Sequence, residues 1–377
     1  MIGDIDSMKT IVISGINFFE GGPLSVYKDC LDNIIKSRLN ETNKIIAFVH
    51  KKEIFAEYAD KVILIELPKS RKSYLYRLWY EYFYFYFYSK GKNVDVWLSL
   101  HDITPNVKAK NRYVYCHNPS PFMKTELKNL KYSYKNFLFS LFYKYLYKIN
   151  IEKNIAVIVQ QDWMRQEFIN RYKLKNVIVA RPTVIISEDI NSNTPNEQKN
   201  KYQFIYPSFP RFFKNFEVIC TACGILEEKG VTDYEVLLTI DGNENRYSKD
   251  LKTHFGKLQS VKFIGLQERG NLFNLYGTSD CMIFPSKLET WGLPISEYKE
   301  TGKPMLVANL PYAHETVGTY NKVVFFNSNK PEDLACFMEK QIRQGNTYQN
   351  VVEKKVMHPF ARDWKELLKM ILIPTGE

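Results

Sequence analysis

The chain has 377 residues, 45% of them hydrophobic, and a formal charge of +11. That length and apolar fraction suit two domains with cores of their own and exclude a disordered chain. The charge calls for an anionic partner: nucleic acid, anionic lipid or a phosphorylated small molecule. No zinc-finger, RNP-type or basic-zipper pattern appears, which puts nucleic acid last.

Residues 1–7 are an acidic extension before "MKTIVISGI", an ordinary first strand. No charged leader with an apolar core precedes it, and no apolar run reaches the roughly 18–20 residues of a membrane span. Buried strands are predicted at 9–16, 44–50, 61–68, 94–100, 111–117 and 155–160, with helical patterns such as 24–36 and 161–173 between them. Apolar runs of this length alternating with helices imply a parallel sheet covered on both faces. The first strand feeds the turn "GINFFEGGPLSVY", whose Gly21 and Gly22 do not form the G-x-G-x-x-G of dinucleotide oxidoreductases.

Residues 74–92, "YLYRLWYEYFYFYFYSKGK", are read as a helix aromatic nearly all round in preference to a period-2 strand. Residues 124–153 carry seven lysines against two glutamates around Phe137, Leu138, Phe139, Leu141, Phe142, Tyr145 and Leu146. Aromatic rings favour a membrane interface and lysine stems reach anionic headgroups, so both segments are candidates for an anionic membrane surface. Packing against the first sheet is the competing reading. Between them "YCHNPSPF" ends a strand and presents His117.

Residues 185–201 are polar and Asn-rich and mark the boundary between domains 1–185 and 186–360. Strands then recur at 202–208, 234–240, 261–265, 281–286, 304–310 and 322–327, with helices at 215–229, 247–257, 268–279, 293–301 and 331–344. The prediction is two doubly wound Rossmann-like domains in tandem, with a ligand cleft between them. Cys220 and Cys223 form a lone C-x-x-C inside a helical pattern, better suited to two small core residues than to zinc. Scattered cysteines in apolar runs fit a reducing, cytoplasmic setting.

Two stretches carry chemistry. In "YPSFPRFFKNFEVIC", a strand ends and a helix begins near Asn215, an N-cap type, with Arg211 and Lys214 in the loop. Two cations there can neutralise a diphosphate, although loop charges are often merely solvated. In "FPSKLETWGLPISEYKETGKP", a strand turns through Glu289, Thr290, Trp291 and Gly292 into a helix starting at Leu293. Gly292 permits close backbone approach, and the helix start favours phosphate. Glu297, about one turn on, can accept two hydrogen bonds from a ribose diol, and Glu289 can reach what lies beyond the phosphates.

This last stretch resembles the E-x7-E signature of retaining glycosyltransferases of family 4, which have the GT-B fold. Phe-Pro-Ser before it, Gly-Leu-Pro inside it and Gly-x-Pro after it add to the likeness. The resemblance implies a nucleotide-sugar donor held by Arg211, Lys214, Glu289, Thr290, Gly292, Leu293 and Glu297. It implies His117 near the donor sugar, and Gly21 and Gly22 near the phosphates and the acceptor. It also implies no metal and no cofactor besides the donor, and a last helix (361–377) crossing back to the first domain. The glycine usual before the arginine is replaced here by Ser208-Phe209-Pro210. The expected function is transfer of a hexose-type sugar to a glycan or lipid-linked acceptor in bacterial surface-polysaccharide synthesis, on the inner face of the plasma membrane. A nucleotide-sugar epimerase of the same fold and a non-catalytic peripheral membrane protein are the alternatives.

Overall fold

In a computed structural model of the protein, the described residues are 8–122, 132, 142–183, 200–345, 348–349, 351 and 355–372. They divide into two compact units. The first takes 8–122, 142–183 and 356–372; the second takes 132, 200–345, 348–349, 351 and 355.

The first unit is an eight-stranded sheet, parallel throughout, ordered β14-β7-β6-β5-β4-β1-β2-β3. Its strands are β1 (Thr10–Ser14), β2 (Lys44–Val49), β3 (Ile63–Glu66), β4 (Val96–Ser99), β5 (Asn111–Cys116), β6 (Ala156–Val159), β7 (Val177–Ala180) and β14 (Phe360–Ala361). One face is covered by α1 (Gly21–Lys36) and the last described helix, α11 (Trp364–Leu372), and α4 (Asp162–Tyr172) packs on the other. Leu31 and Ile34 of α1 and Trp364, Leu367 and Ile371 of α11 are buried there with Tyr115 of β5. The Trp364 ring stacks on Tyr115 at 5.4 Å. Each such side chain contributes roughly 1.5–3 kcal/mol by leaving water.

The aromatic segment covers the other face near β1, β2 and β4. It is a helix, made of α2 (Tyr74–Trp79), one π-turn (Tyr80–Tyr84) and α3 (Phe85–Ser89). Ser73 starts it, its side chain accepting from the Tyr76 N–H at 3.3 Å. Phe85 packs on Phe48 and Trp97 at ring distances of 4.9 and 5.0 Å. The helix is not buried all round. Leu75, Trp79, Phe83 and Phe87 recur every fourth residue along one side and are 50–78% exposed. The core reading and the exposed reading each describe one face of one helix. Of the 124–153 segment, Phe137, Leu138, Phe139 and Leu141 lie outside the described residues. Phe142 and Tyr145 are exposed, and Leu146 packs inward.

The second unit is a six-stranded parallel sheet ordered β10-β9-β8-β11-β12-β13. Its strands are β8 (Tyr202–Tyr206), β9 (Tyr234–Leu238), β10 (Val261–Phe263), β11 (Cys281–Phe284), β12 (Met305–Ala308) and β13 (Val323–Phe326). Helices α5 (Phe216–Glu228), α6 (Arg246–Phe255), α7 (Arg269–Thr278), α8 (Leu293–Lys299), α9 (Pro311–Val317) and α10 (Pro331–Ile342) follow the strands in alternation. Cys220 and Cys223 are fully buried in α5, as core residues. Strand order reverses between β8 and β11. Ligands of sheets with this topology bind outside the carboxyl ends of the strands at such a reversal.

Candidate active site

Both chemistry-bearing stretches of the second unit leave the sheet at that reversal. The loop after β8 carries Arg211 and Lys214 and is held at several points. The Tyr206 hydroxyl donates to the Lys214 carbonyl at 2.7 Å, and the Asn245 amide donates to the Pro210 carbonyl at 2.6 Å. Asn215 is the N-cap of α5, but it does not cap with its side chain. Its amide donates instead to the carbonyls of Ser328 (2.8 Å) and Pro285 (3.3 Å), fastening the loop across the strand ends. The Lys287 N–H donates to the Phe213 carbonyl at 2.8 Å and joins the two loops.

The loop after β11 brings Glu289 onto Lys214, with Nζ 2.5 Å from Oε1. Both side chains are mostly buried, so the pair is better sheltered from solvent screening than a surface ion pair. The exposed Arg211 guanidinium stands 6.0 Å from the rings of both Phe209 and Phe213. Gly292 takes φ +86°, where a side chain is strained, and a Cβ there would lie 3.3 Å from Ile295 Cδ1. Trp291 is clamped beneath, its indole donating to Ser296 Oγ at 2.9 Å, and the Thr316 hydroxyl donates to its carbonyl. Thr290 is half-buried and Leu293 exposed at the start of α8. With seven residues α8 has a short row of aligned peptides, so the two cations carry more of any anion than the helix start does.

Glu297 sits one turn into α8, mostly buried. Oε2 accepts from the Tyr276 hydroxyl at 3.2 Å, and Arg269 Nη2 lies 3.5 Å from Oε1. Burial raises its pKa above the usual carboxylate value, while Arg269 and the Tyr276 hydrogen bond pull it back down. Tyr276 and Arg269, both on α7, were not singled out by sequence reasoning. They precede Glu297 by 21 and 28 residues, and only the folded sheet brings them to it.

In the first unit, Gly21 starts α1 at φ +68°, and a Cβ on Gly21 or Gly22 would meet nothing within 4 Å. The space before this turn is therefore open to backbone contact. His117 follows β5, and its ring lies 5.5 Å from that of Phe18, in the same turn region. Sequence reasoning missed its support. The Asp102 carboxylate accepts from the N–H groups of His117 (2.8 Å) and Asn118 (3.1 Å) and from the Tyr147 hydroxyl (3.1 Å). Its other oxygen lies 3.9 Å from His117 Nε2. Burial lowers the His117 pKa most; Asp102 opposes this, and His101 and Arg77 add to it. A neutral imidazole at pH 7 follows. His314 bonds Asn309 at 2.7 Å and stacks on Phe325. Among the described residues, no three His, Cys, Asp or Glu side chains gather in a way that could hold a metal ion.

Residues 187–356 match the family model for glycosyl transferases group 1. The O-antigen chain mannosyltransferase RfbU of Salmonella typhimurium is 21% identical over 236 residues, 59% of this chain; the chain spans 62% of that relative's length. A glycosyltransferase from Rickettsia africae superposes with a TM-score of 0.62 at 17% identity, over 88% of this chain and 87% of that one. HepE of Anabaena, solved with UDP and glucose, superposes with a TM-score of 0.58 at 14% identity, over 96% and 95%. The fold is GT-B. The matched segment of this GT-B chain contains both loops of the strand-order reversal, and the match supports glycosyl transfer.

Proposed function

We propose that the protein is a retaining glycosyltransferase that moves a hexose-type sugar from a nucleoside diphosphate to an acceptor hydroxyl. The observation that carries this reading is the Lys214–Glu289 pair at the reversal, with Glu297 half a helix beyond it. Glu297 already accepts from Tyr276 and faces Arg269, and a carboxylate has about four acceptor sites, which leaves room for both ribose hydroxyls. Lys214 and Arg211 sit where a diphosphate needs positive charge. As the bond from C1 to the diphosphate oxygen breaks, its electron pair goes to that oxygen, and the two cations stabilise the growing charge. The acceptor oxygen bonds C1 on the face the diphosphate leaves, and its proton passes to the departing phosphate oxygen. Glu289 orients the sugar and steadies the oxocarbenium-like centre. Cation stabilisation of this kind needs no metal ion.

His117, neutral and held by Asp102, is assigned to a hydrogen bond with the sugar, and the Gly21–Gly22 turn to the acceptor side. We assign the acceptor to a lipid-linked glycan of a surface polysaccharide, used at the inner face of the plasma membrane. The exposed row Leu75, Trp79, Phe83 and Phe87 supports that assignment. A thermal-shift screen against UDP, GDP, dTDP, ADP and CMP tests the core of the reading. One diphosphate should stabilise the protein selectively; no shift with any nucleotide refutes it. Product anomer by NMR then tests retention, and turnover in chelator tests metal independence.

A further inference from the structure

The aromatic helix joins two ends of the first sheet. Near its start, Arg77 Nη2 donates to the His101 carbonyl at 2.8 Å, just past the carboxyl end of β4. At its far end, the Lys108 N–H donates to Ser89 Oγ at 2.8 Å, beside the amino ends of β4 and β5. From Arg77 to Ser89 the helix runs about 18 Å.

A groove of about 690 Å³ opens at the far end, and its cations are Lys92, Lys108, Lys110, Arg112 and Lys153. The Asp95 carboxylate meets Lys110 at 2.6 Å, which leaves the groove strongly positive. Aromatic rings run up to its rim. Lys92 Nζ lies 3.8 Å from the Tyr88 ring centroid, Lys108 Nζ 5.8 Å from that of Tyr86, and Tyr86 adjoins Phe87 at 5.5 Å. Phe87 ends the exposed row that starts at Leu75. The charge is therefore continuous with the apolar side of the helix. The proposed diphosphate-binding cations belong to the other unit.

We propose that this groove binds the phosphate headgroups of anionic phospholipids while the Leu75–Trp79–Phe83–Phe87 row enters the interface beneath them. A soluble phosphate would have no use for the apolar row, and a neutral bilayer would have none for five cations. An anionic bilayer uses both. The row supplies attachment, and the groove at one end fixes which way the helix lies on the surface. This deepens the lipid-linked acceptor reading and rests on it for its purpose.

The test is flotation of the full chain with phosphatidylcholine vesicles, and with vesicles containing about one-third phosphatidylglycerol, in about 0.1 M salt. Each basic side chain near an anionic surface is worth about fivefold in affinity, so Lys92→Gln, Lys108→Gln and Lys153→Gln together should weaken binding to the anionic vesicles about 100-fold. The same triple variant should bind neutral vesicles as the parent does. Leu75→Ser with Phe83→Ser should weaken binding to both. All five side chains are exposed, and unchanged melting curves establish that the variants fold. Equal parent binding to both vesicles, or a triple variant that binds like the parent, overturns the proposal. So does competition by micromolar inorganic polyphosphate with no preference for vesicles, which marks a soluble polyanion as the ligand. Nucleotide thermal shifts, run in parallel, separate the two readings: a lost vesicle preference with an intact nucleotide shift removes the groove alone.

Discussion

Glu297→Gln removes the charge from the carboxylate assigned to the ribose and keeps its shape. The Tyr276 hydroxyl can still donate to the amide oxygen, and Arg269 is half exposed, so the fold keeps its packing. What changes is the acceptor strength offered to two ribose hydroxyls. Hydrogen bonds to a charged group are worth about 1.5–3 kcal/mol each, and the amide keeps part of one, so the loss is about 2–3 kcal/mol. That is about 30- to 150-fold in Kd. With the selected diphosphate at 100 times the parent Kd, binding stabilises the parent by about 2.7 kcal/mol and a 100-fold weaker variant by about 0.4 kcal/mol. For a unit of this size those values become melting shifts of about 5–10 °C and about 1 °C. Calorimetric titration gives Kd directly. The 2′-deoxy nucleotide supplies the matching change on the ligand: it should bind the parent more weakly but lose much less further affinity on Glu297→Gln. Equal Kd values for parent and variant, or additive losses in that cycle, refute the ribose assignment.

Lys214→Ala should lower kcat by about 10²- to 10³-fold, as loss of an electrostatic stabiliser does, and cost about 3 kcal/mol of stability, because Glu289 is left mostly buried without its partner. Steady-state kinetics and thermal melts check both. Gly292→Ala should cost about 1–3 kcal/mol, because φ is +86° and the new Cβ would press on Ile295; urea unfolding measures it. Nucleotide affinity should fall on acidification, starting above the ordinary carboxylate value of 4.5, because burial raises the Glu297 pKa and only its ionised form accepts both hydroxyls. Titrations from neutral pH downward show where the fall begins. Asp29 is raised to about 6 by burial first and by Asp32 next. Its ionised form therefore costs the folded state stability above that pH, and the cost fades as pH falls toward the unfolded value. Asp29 is partly exposed, so after allowance for solvent screening the cost is about 1 kcal/mol. Asp29→Asn should raise the melting temperature by a few degrees at neutral pH and leave it unchanged near pH 4, by calorimetry.

The strands were legible because both faces of a parallel sheet are buried, which turns each strand into an apolar run. The runs at 44–50 and 234–240 became Lys44–Val49 and Tyr234–Leu238, trimmed only where the chain leaves the ladder. β14 has two residues, too few to stand out, and pairing with β7 is what makes it a strand; β7 is not among the predicted strands, although it is as long as β4 and β6, which are. The α9 helix starts at Pro311, with two residues between it and β12, and is not among the predicted helices; α8, of the same seven residues, is marked by the Gly292–Leu293–Pro294 turn at its start. Around the candidate site, local spacing put Glu289 in a turn and Glu297 on a helix, because eight residues of one chain fold together. It could not show that Tyr276 and Arg269 reach Glu297, or that Asp102 holds His117. Those partners stand on other elements, brought close by strand order. Asn215 shows the limit from another side: the cap position was readable, but its side chain serves two carbonyls 70 and 113 residues away.

The last described helix, α11, is core to a sheet whose first strand begins at Thr10. A ribosome delivers α11 long after that strand. Residues 202–342 can close their own sheet while the first sheet still lacks β14 and its covering helix. The second half should therefore reach its native state first, and the aromatic first half should wait with apolar surface uncovered until the tail emerges. Chaperone demand would then fall on the N-terminal half during synthesis. Removing α11 should leave a second unit that folds and a first unit that does not.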